Sequence, residues 1–274
     1  MKREPYIDRL KALAMVAVIA GHLLLMVFHD NSWPSDSFFR FLFAWHVDLF
    51  FFLSGMLVKH PPQLRKTLLA VRRLLWPFVV VGLAFSIVSG QGVADFFLAV
   101  GKHGYWFLFT LALCRLLSLS FFSEDYGLGR FSIAADIGIA LALFLSINVL
   151  LRVLPPDIGF GLLSGNMLYG SFPFYAIGLV VGKYGLQHLA FARMMPLWGL
   201  MALLYGLLPP LGNPLAEHLG HLSLVMLLSG LFYMRRSKTS AVERQMQRLG
   251  TCTLDIYIYH YFIMLPFIVC EAYR

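Results

Sequence analysis

The chain alternates long apolar blocks with short polar segments along most of its length. Most blocks hold about 18–23 residues, and a helix of that length crosses a hydrocarbon core of about 30 Å. Prolines and glycines in the intervening segments, such as Pro61-Pro62 and Pro155-Pro156, mark the breaks between blocks. The pattern predicts nine membrane-spanning helices, at about 9–28, 38–58, 73–90, 105–122, 131–153, 169–183, 194–209, 218–234 and 250–269. The segment 155–169 is apolar enough to be re-entrant or to hide a tenth span.

Composition supports a membrane protein rather than a soluble one. Of the 274 residues, 59% are hydrophobic and only 13% are charged, which is more apolar sequence than one soluble core needs. We therefore predict an all-α integral membrane protein, a polytopic bundle of about 9–10 transmembrane helices forming one domain over 1–274. Cys114, Cys252 and Cys270 are scattered and form no CxxC, so we expect buried free thiols and no metal site.

The placement of the basic residues explains the net charge of +8 and gives an orientation. With the N-terminus in the cytoplasm, 17 of the 22 Lys and Arg fall in inner segments, 4 fall in outer segments, and Arg115 lies within a span. Cytoplasmic segments of membrane proteins carry this excess of positive charge. The prediction is a multi-pass protein of the cytoplasmic (inner) membrane, in contact with membrane lipids and without a nucleic-acid partner.

Three histidines lie at similar depth in the predicted spans. His22 follows Lys11 by eleven residues, a rise of about 16 Å along a helix. His46 and His260 lie about 15–18 Å from the cytoplasmic ends of their own spans. Any one of them could be a structural histidine bonded to a backbone carbonyl. Since ionisable groups at this depth are costly, their shared layer favours a common polar site.

Two acidic residues within the predicted spans have several interpretations. Asp48 lies two residues after His46, on a different face of the same helix, so the two do not pair directly. Asp48 could orient a histidine of another helix and fix its tautomer, or pair with an arginine. Asp136 and Arg115 could form a structural pair.

A basic cluster precedes the third predicted span on the inner side. It consists of Arg65, Lys66, Arg72 and Arg73, and it lies near Arg9 and Lys11. The cluster fits either the usual excess of positive charge in cytoplasmic segments or a binding site for a cytoplasmic cofactor with several phosphates.

Trp106 begins the fourth span and fits either an interfacial aromatic belt or stacking against a sugar ring. Ser54 and its neighbour Gly55 are small residues that allow close helix approach.

Six segments, in order, resemble the membrane acyltransferase-three family over residues 6–265. They are YIDRLKALAMVAVIAGH, WHVDLFFFLSGML, RRLLWPF, GYWFLFTLALCRLL, FPFYAIGLVVGKYG and LGTCTLDIYIYHYFI. The first resembles that family's signature of a basic residue and a histidine with ten residues between them. The family has arginine more often where Lys11 stands, and its usual membrane domain has ten spans.

The resemblance implies transfer of an acyl group, usually acetyl from cytoplasmic acetyl-CoA, to a hydroxyl of a carbohydrate or glycolipid acceptor of the cell envelope. On this basis Arg9, Lys11, Arg72 and Arg73 would bind the phosphates of acetyl-CoA. His22 would act as general base or, as the second alternative, as a transient acyl carrier. His46, Asp48 and His260 are further catalytic candidates, and Trp106, Ser54 and Tyr257 are candidates for binding the acceptor. A homo-oligomer is left open.

Two other classes of function compete with this reading. A proton-coupled secondary transporter of a small polar solute would also place ionisable residues at mid-membrane, with repeat symmetry and interrupted helices. Neither feature is clear in the sequence. A non-catalytic assembly partner would tolerate loss of His22.

Overall fold

The computed structural model describes residues 4–26, 37–58, 62–121, 131–208, 213–237 and 240–272. These residues form helices and connecting turns, and no strand occurs among them. The α-helices of the described residues, numbered in chain order, are α1 (Pro5–Met26), α2 (Ser37–Phe43), α3 (His46–Met56), α4 (Leu64–Val88), α5 (Val93–Leu98), α6 (Trp106–Leu117), α7 (Ser132–Val153), α8 (Gly165–Lys183), α9 (Met195–Leu207), α10 (Pro214–Met234), α11 (Ala241–Thr251) and α12 (Thr253–Ala272). Short 3₁₀ turns lie at Lys102–Gly104 and Ser118–Ser120, and π-helical turns at Asp157–Leu162 and Leu189–Arg193.

Apolar helices of membrane-spanning length confirm the predicted class, an all-α membrane protein. By length and composition, three of the described helices can cross a membrane, namely α4, α7 and α10. The apolar stretches Trp106–Ser120 and Met195–Leu207 are shorter. The number of crossings stays a prediction.

Each predicted span falls on helix, but the second and third differ from their predicted form. The span at 38–58 is divided by a turn at Ala44-Trp45 into α2 and α3, so that His46 is the first residue of α3. The span predicted from residue 73 begins at Leu64 instead. Lys and Arg are good helix formers, and nothing between Leu64 and Arg73 breaks the helix, so α4 continues past its apolar part.

The segment 155–169 does not form a separate helix that could cross a membrane. It holds the π-helical turn Asp157–Leu162 and then the beginning of α8 at Gly165. A tenth span is therefore not hidden in this segment.

The chain separates into two compact units, and the division falls within α3 and just after α8. The first unit contains Met1–Leu53 and Gly185–Arg274, and the second contains Ser54–Tyr184. The second unit is thus one continuous stretch between the two parts of the first.

In the first unit, α1 packs against α10, α11 and α12, and α9 packs along α10. Gly250 near the end of α11 allows the closest approach, because a Cβ there would lie 1.8 Å from the carbonyl oxygen of Asp8 on α1. This packing brings the His22-bearing helix alongside the His260-bearing helix α12.

In the second unit, α4 packs on α6, and α8 packs on both α6 and α7. Gly55, at the end of α3, meets α8 so closely that a Cβ would lie 2.0 Å from the Tyr175 carbonyl oxygen. The predicted role of the Ser54-Gly55 pair in close helix approach is confirmed at Gly55. The buried ion pair of Lys183 and Asp136, with 2.7 Å between Nζ and Oδ2, joins α8 to α7.

Candidate active site

His22 and His260 meet in the interior of the first unit. Their ring centroids lie 5.2 Å apart with the rings nearly perpendicular. Tyr261 lies edge-on to His22 with centroids 5.0 Å apart, and its hydroxyl is 3.4 Å from His22 Nε2. His22 is partly exposed, whereas His260 and Tyr261 are buried. Two of the three histidines predicted to share a layer are therefore in contact, and Tyr261 joins them.

The surroundings of His260 fix its tautomer. Its Nδ1–H donates to the carbonyl oxygen of Tyr257 at 2.6 Å, so the neutral ring carries its lone pair on Nε2. The buried Nδ1 of His22 and Nε2 of His260 have no hydrogen-bond partner among the described residues. Unsatisfied buried nitrogens of this kind are rare in structural clusters, because each one costs desolvation free energy.

His46 lies at the break between α2 and α3. Its Nδ1–H donates to the carbonyl oxygen of Leu42 across the break at 2.7 Å, so Nε2 again carries the lone pair. His46 is buried. Its place in one layer with His22 and His260 stays a prediction.

Asp48 pairs with a histidine of another helix, one of the two roles that the sequence left open. The partner is His221 on α10, whose Nδ1–H donates to Asp48 Oδ2 at 2.9 Å. His221 lies within the predicted span 218–234 but is not among the residues predicted for the site. Tyr261 was also missed, although it directly follows the His260 that was singled out.

Arg9 has a full set of partners in the first unit. Its Nη1 lies 2.8 Å from Glu243 Oε1, and its guanidinium donates to the carbonyl oxygens of Arg235 and Arg236, which follow the last turn of α10. The side chain is buried and lines a groove of about 490 Å³ with α10 and α11. These contacts give Arg9 a structural role, and its predicted contact with acetyl-CoA stays a prediction. Lys11, two residues further along α1, is partly exposed.

Arg72 and Arg73 belong to the second unit and lie on α4, not in a loop before it. Both are exposed, as are Arg65 and Lys66 one heptad earlier. Because residues seven apart share a helix face, the four form two basic rows along the first half of α4. Arg65 and Arg72 line a shallow groove of about 350 Å³ with three leucines. An exposed basic face suits an anionic ligand.

The remaining acceptor-binding candidates are spread over both units. Tyr257 is buried in the first unit, with its ring centroid 5.5 Å from that of His260. Ser54 and Trp106 are partly exposed and belong to the second unit, where the Trp106 ring packs against Phe107. Their contact with an acceptor stays a prediction.

Asp136 pairs with Lys183, because α7 packs along α8, where Lys183 occupies the last turn. The pairing of Asp136 with Arg115 stays a prediction. One structural expectation was wrong. Cys114 is a buried free thiol as expected, but Cys252 is exposed because it lies in the turn between α11 and α12. The side chain of Cys270 is outside what the structure describes. Six of the basic residues used to predict the orientation also lie outside the described residues, namely Lys2, Arg3, Lys59, Arg130, Lys238 and Arg274. Among the described residues no three His, Cys, Asp or Glu side chains could hold a metal ion together.

The family model for the acyltransferase domain of acyltransferase family 3 matches residues 4–270. The chain belongs to acyltransferase family 3. Comparison with curated proteins and with solved structures finds no match. The family match covers both units and favours a membrane acyltransferase over a transporter. The break in the second predicted span, just before His46, is a feature that a transporter would also have, but the family match outweighs it.

Proposed function

We propose that this acyltransferase transfers an acetyl group from cytoplasmic acetyl-CoA to a hydroxyl of a cell-envelope or exported carbohydrate. The observation that carries the proposal is the environment of His22, a partly exposed imidazole that meets Tyr261 and His260 in a membrane acyltransferase. The protein would lie in the inner membrane as a multi-pass protein, with its N-terminus in the cytoplasm.

His22 is the general base of the proposed reaction. In the tautomer with the lone pair on Nε2, which a base requires, the acceptor hydroxyl replaces the Tyr261 hydroxyl as the donor to His22 Nε2. Its proton moves to that nitrogen as the oxygen attacks the thioester carbonyl. The C–S bond then breaks, and the thiolate of CoA takes the proton from His22. A positioned base of this kind supplies about 10²–10⁴-fold in rate.

His260 and Tyr261 support this role by their contacts. The perpendicular His260 ring and the Tyr261 ring hold the His22 ring between them, which restricts its rotation. The Tyr261 hydroxyl gives Nε2 a hydrogen bond until the acceptor arrives. Tyr257 holds His260 in turn through its carbonyl oxygen.

The exposed basic face of α4 is the proposed site for the phosphates of acetyl-CoA. Arg72 and Arg73 present two adjacent guanidinium groups, which bind phosphate oxygens in bidentate fashion. Lys11 and Arg9 lie on α1 in the first unit, where Arg9 is already engaged by Glu243 and two carbonyl oxygens. The contact of Lys11 with the donor stays a prediction from the sequence.

Calorimetry of acetyl-CoA binding in detergent tests the donor part of the proposal. Wild type is compared with Arg72→Ala/Arg73→Ala, and with Arg244→Ala/Arg248→Ala, which removes the same total charge from exposed positions of α11. We expect micromolar binding by wild type and by the α11 variant, and loss of binding by the α4 variant. Equal binding by all three proteins would contradict the assignment of Arg72 and Arg73, and absence of binding by folded wild type would contradict acetyl-CoA as donor.

A further inference from the structure

A groove lies where α10, α11 and the first half of α1 meet, within the first unit. Its volume is about 490 Å³. α10 is one of the described helices that can cross a membrane, and it ends at Met234, where Arg235 and Arg236 follow. The groove therefore lies at the level where the hydrocarbon core gives way to the charged headgroups of the lipids.

The walls of the groove are apolar side chains that are open to the surroundings. Leu231 on α10 is 40% exposed, and Val242 on α11 is 69% exposed. Met246 follows Val242 by one turn on the same face of α11 and is partly exposed. Apolar walls at this level suit the acyl chain of a lipid, because a chain that covers them removes apolar surface from water.

α11 has the features of a helix that lies in the plane of a membrane interface. Val242, Met246 and Leu249 follow one another by four and three residues, so these open apolar positions share one face. The exposed residues Arg244 and Arg248 lie on another face of the helix. A largely polar helix with an apolar stripe and basic side chains typically lies at the level of the lipid headgroups.

Three charged side chains line the groove and leave one positive charge in excess. Arg9 and Glu243 neutralise each other, with 2.8 Å between Nη1 and Oε1. Arg235 is exposed, and its guanidinium makes no hydrogen bond or ion pair with any other described residue. The backbone N–H of Arg235 donates to the Leu231 carbonyl oxygen at 3.3 Å, so the positive charge lies one turn beyond an apolar wall.

We propose that this groove binds one anionic glycerophospholipid, with its phosphate at Arg235 and an acyl chain along Leu231, Val242 and Met246. Such a lipid carries one negative charge next to a long apolar chain, and the groove presents its charge and its apolar surface in the same order. A guanidinium binds phosphate oxygens in bidentate fashion. Basic pockets between membrane helices recognise lipid headgroups by this chemistry.

Acetyl-CoA is the competing occupant of the groove, because it also carries phosphates and because Arg9 is among the residues predicted from the sequence to bind it. Its pantetheine arm has polar amide groups, which match apolar walls poorly. Its several phosphates also exceed the single positive charge in excess. The lipid site is separate from the basic face of α4 and takes no part in acyl transfer.

Native mass spectrometry of the full chain in a neutral detergent tests the charge preference of the site. Phosphatidylglycerol and phosphatidylcholine with the same oleoyl chains are titrated into wild type, Arg235→Gln and the matched control Arg248→Gln. Arg248 suits the control because it is an exposed arginine of α11 that does not line the groove.

We expect wild type to bind its first phosphatidylglycerol about five-fold more tightly than phosphatidylcholine, the effect of one basic group near a membrane surface. Arg235→Gln should lose this preference, and Arg248→Gln should keep it. Equal binding of the two lipids by wild type would overturn the proposal, and so would an unchanged preference in Arg235→Gln.

The apolar wall is tested by Val242→Glu, with Leu249→Glu as the matched control. Leu249 is exposed on the same helix but does not line the groove. We expect Val242→Glu to weaken the binding of phosphatidylglycerol about ten-fold or more, because it places a carboxylate beside the anionic lipid, and Leu249→Glu to stay within about two-fold of wild type. Equal effects of the two variants, at unfolding temperatures like that of wild type, would contradict the assigned wall.

Competition distinguishes a lipid from a soluble phosphate compound. Acetyl-CoA and glycerophosphoglycerol, which is the headgroup without acyl chains, are added in turn to the complex of the protein with phosphatidylglycerol. We expect neither compound to displace the lipid, because neither covers the apolar walls. Displacement by acetyl-CoA would assign the groove to the acyl donor and would overturn the lipid site.

Discussion

At the residue scale, the polar side chains of this apolar protein differ in the partners that they contact. Asp136 and Lys183 neutralise each other, and Arg9 is satisfied by Glu243 and carbonyl oxygens. His22 differs from these residues, because it contacts aromatic rings and a tyrosine hydroxyl that an acceptor hydroxyl can replace. This contrast separates groups that stabilise the fold from the group that we assign to chemistry.

Arg9 provides a test of that separation. Because its guanidinium ties α1 to Glu243 and to the end of α10, Arg9→Gln should lower the free energy of unfolding by about 1.5–3 kcal/mol. The Kd for acetyl-CoA, measured by calorimetry, should change little in the protein that remains folded. A weaker Kd without a lower unfolding temperature would instead favour the direct contact with phosphates predicted from the sequence.

Lys102 gives a prediction about pH. Its ammonium group is buried in the 3₁₀ turn before α6 and donates to the carbonyl oxygens of Phe97 and Gly161, the latter at 2.6 Å. Burial lowers the pKa of Lys102 from 10.5 to about 8. Between these values the unfolded chain binds more protons than the folded protein, so stability should rise with pH from about 8 to 10.5 and should show no such gain below about pH 8.

Lys102→Met removes this titration while keeping an unbranched side chain. The difference in unfolding temperature between wild type and Lys102→Met should therefore shift in favour of wild type as the pH rises from 8 to 10. A difference that is independent of pH over this range would contradict the assigned burial of the charge.

At the element scale, close helix approach through glycine decides how the helices pack. Gly55 in α3 has no room for a methyl group next to the Tyr175 carbonyl oxygen of α8. Gly138 on α7 is the matched control, since a Cβ there would meet no atom within 4 Å in the described part of the chain.

We expect Gly55→Ala to destabilise the protein by about 1–3 kcal/mol, the usual cost of overpacking. Gly138→Ala should not lower the unfolding temperature, because alanine is the better helix former. Thermal unfolding of both variants in the same detergent is the measurement. Similar unfolding temperatures for the two variants would refute the packing of α3 against α8.

The sequence predicted the elements better than their ends, for identifiable physical reasons. Each predicted span falls on helix in the part of the chain that the structure describes, but α4 extends into a basic segment that hydropathy assigns to a loop. The break in the second span lies at Ala44-Trp45, where no glycine or proline signals it. α11 was not predicted, although the sequence contains the residues of its N-terminal capping box, Ser240 and Glu243.

At the scale of the whole molecule, depth along the helices could be predicted and rotation about their axes could not. Counting residues from the charged ends predicted one layer for His22, His46 and His260, and His22 and His260 are in contact. The partners Tyr261 and His221 depend on which faces of α12 and α10 point inward, and the apolar sequence around them gives little indication of that. The family match over residues 4–270 supplies the class of reaction. The acceptor stays a prediction.

The central claim is that His22 performs acyl transfer from acetyl-CoA, and incorporation of labelled acetyl tests it most directly. Membranes from native host cells that carry wild type, His22→Gln or the control His218→Gln would be incubated with acetyl-CoA labelled in the acetyl group. His218 suits the control because its Nδ1–H donates to the Pro214 carbonyl oxygen at an exposed site. We predict base-labile label in the carbohydrate or glycolipid fraction for wild type and for His218→Gln, and about 10²–10⁴-fold slower labelling for His22→Gln with normal amounts of folded protein. Equal labelling by His22→Gln would contradict the account.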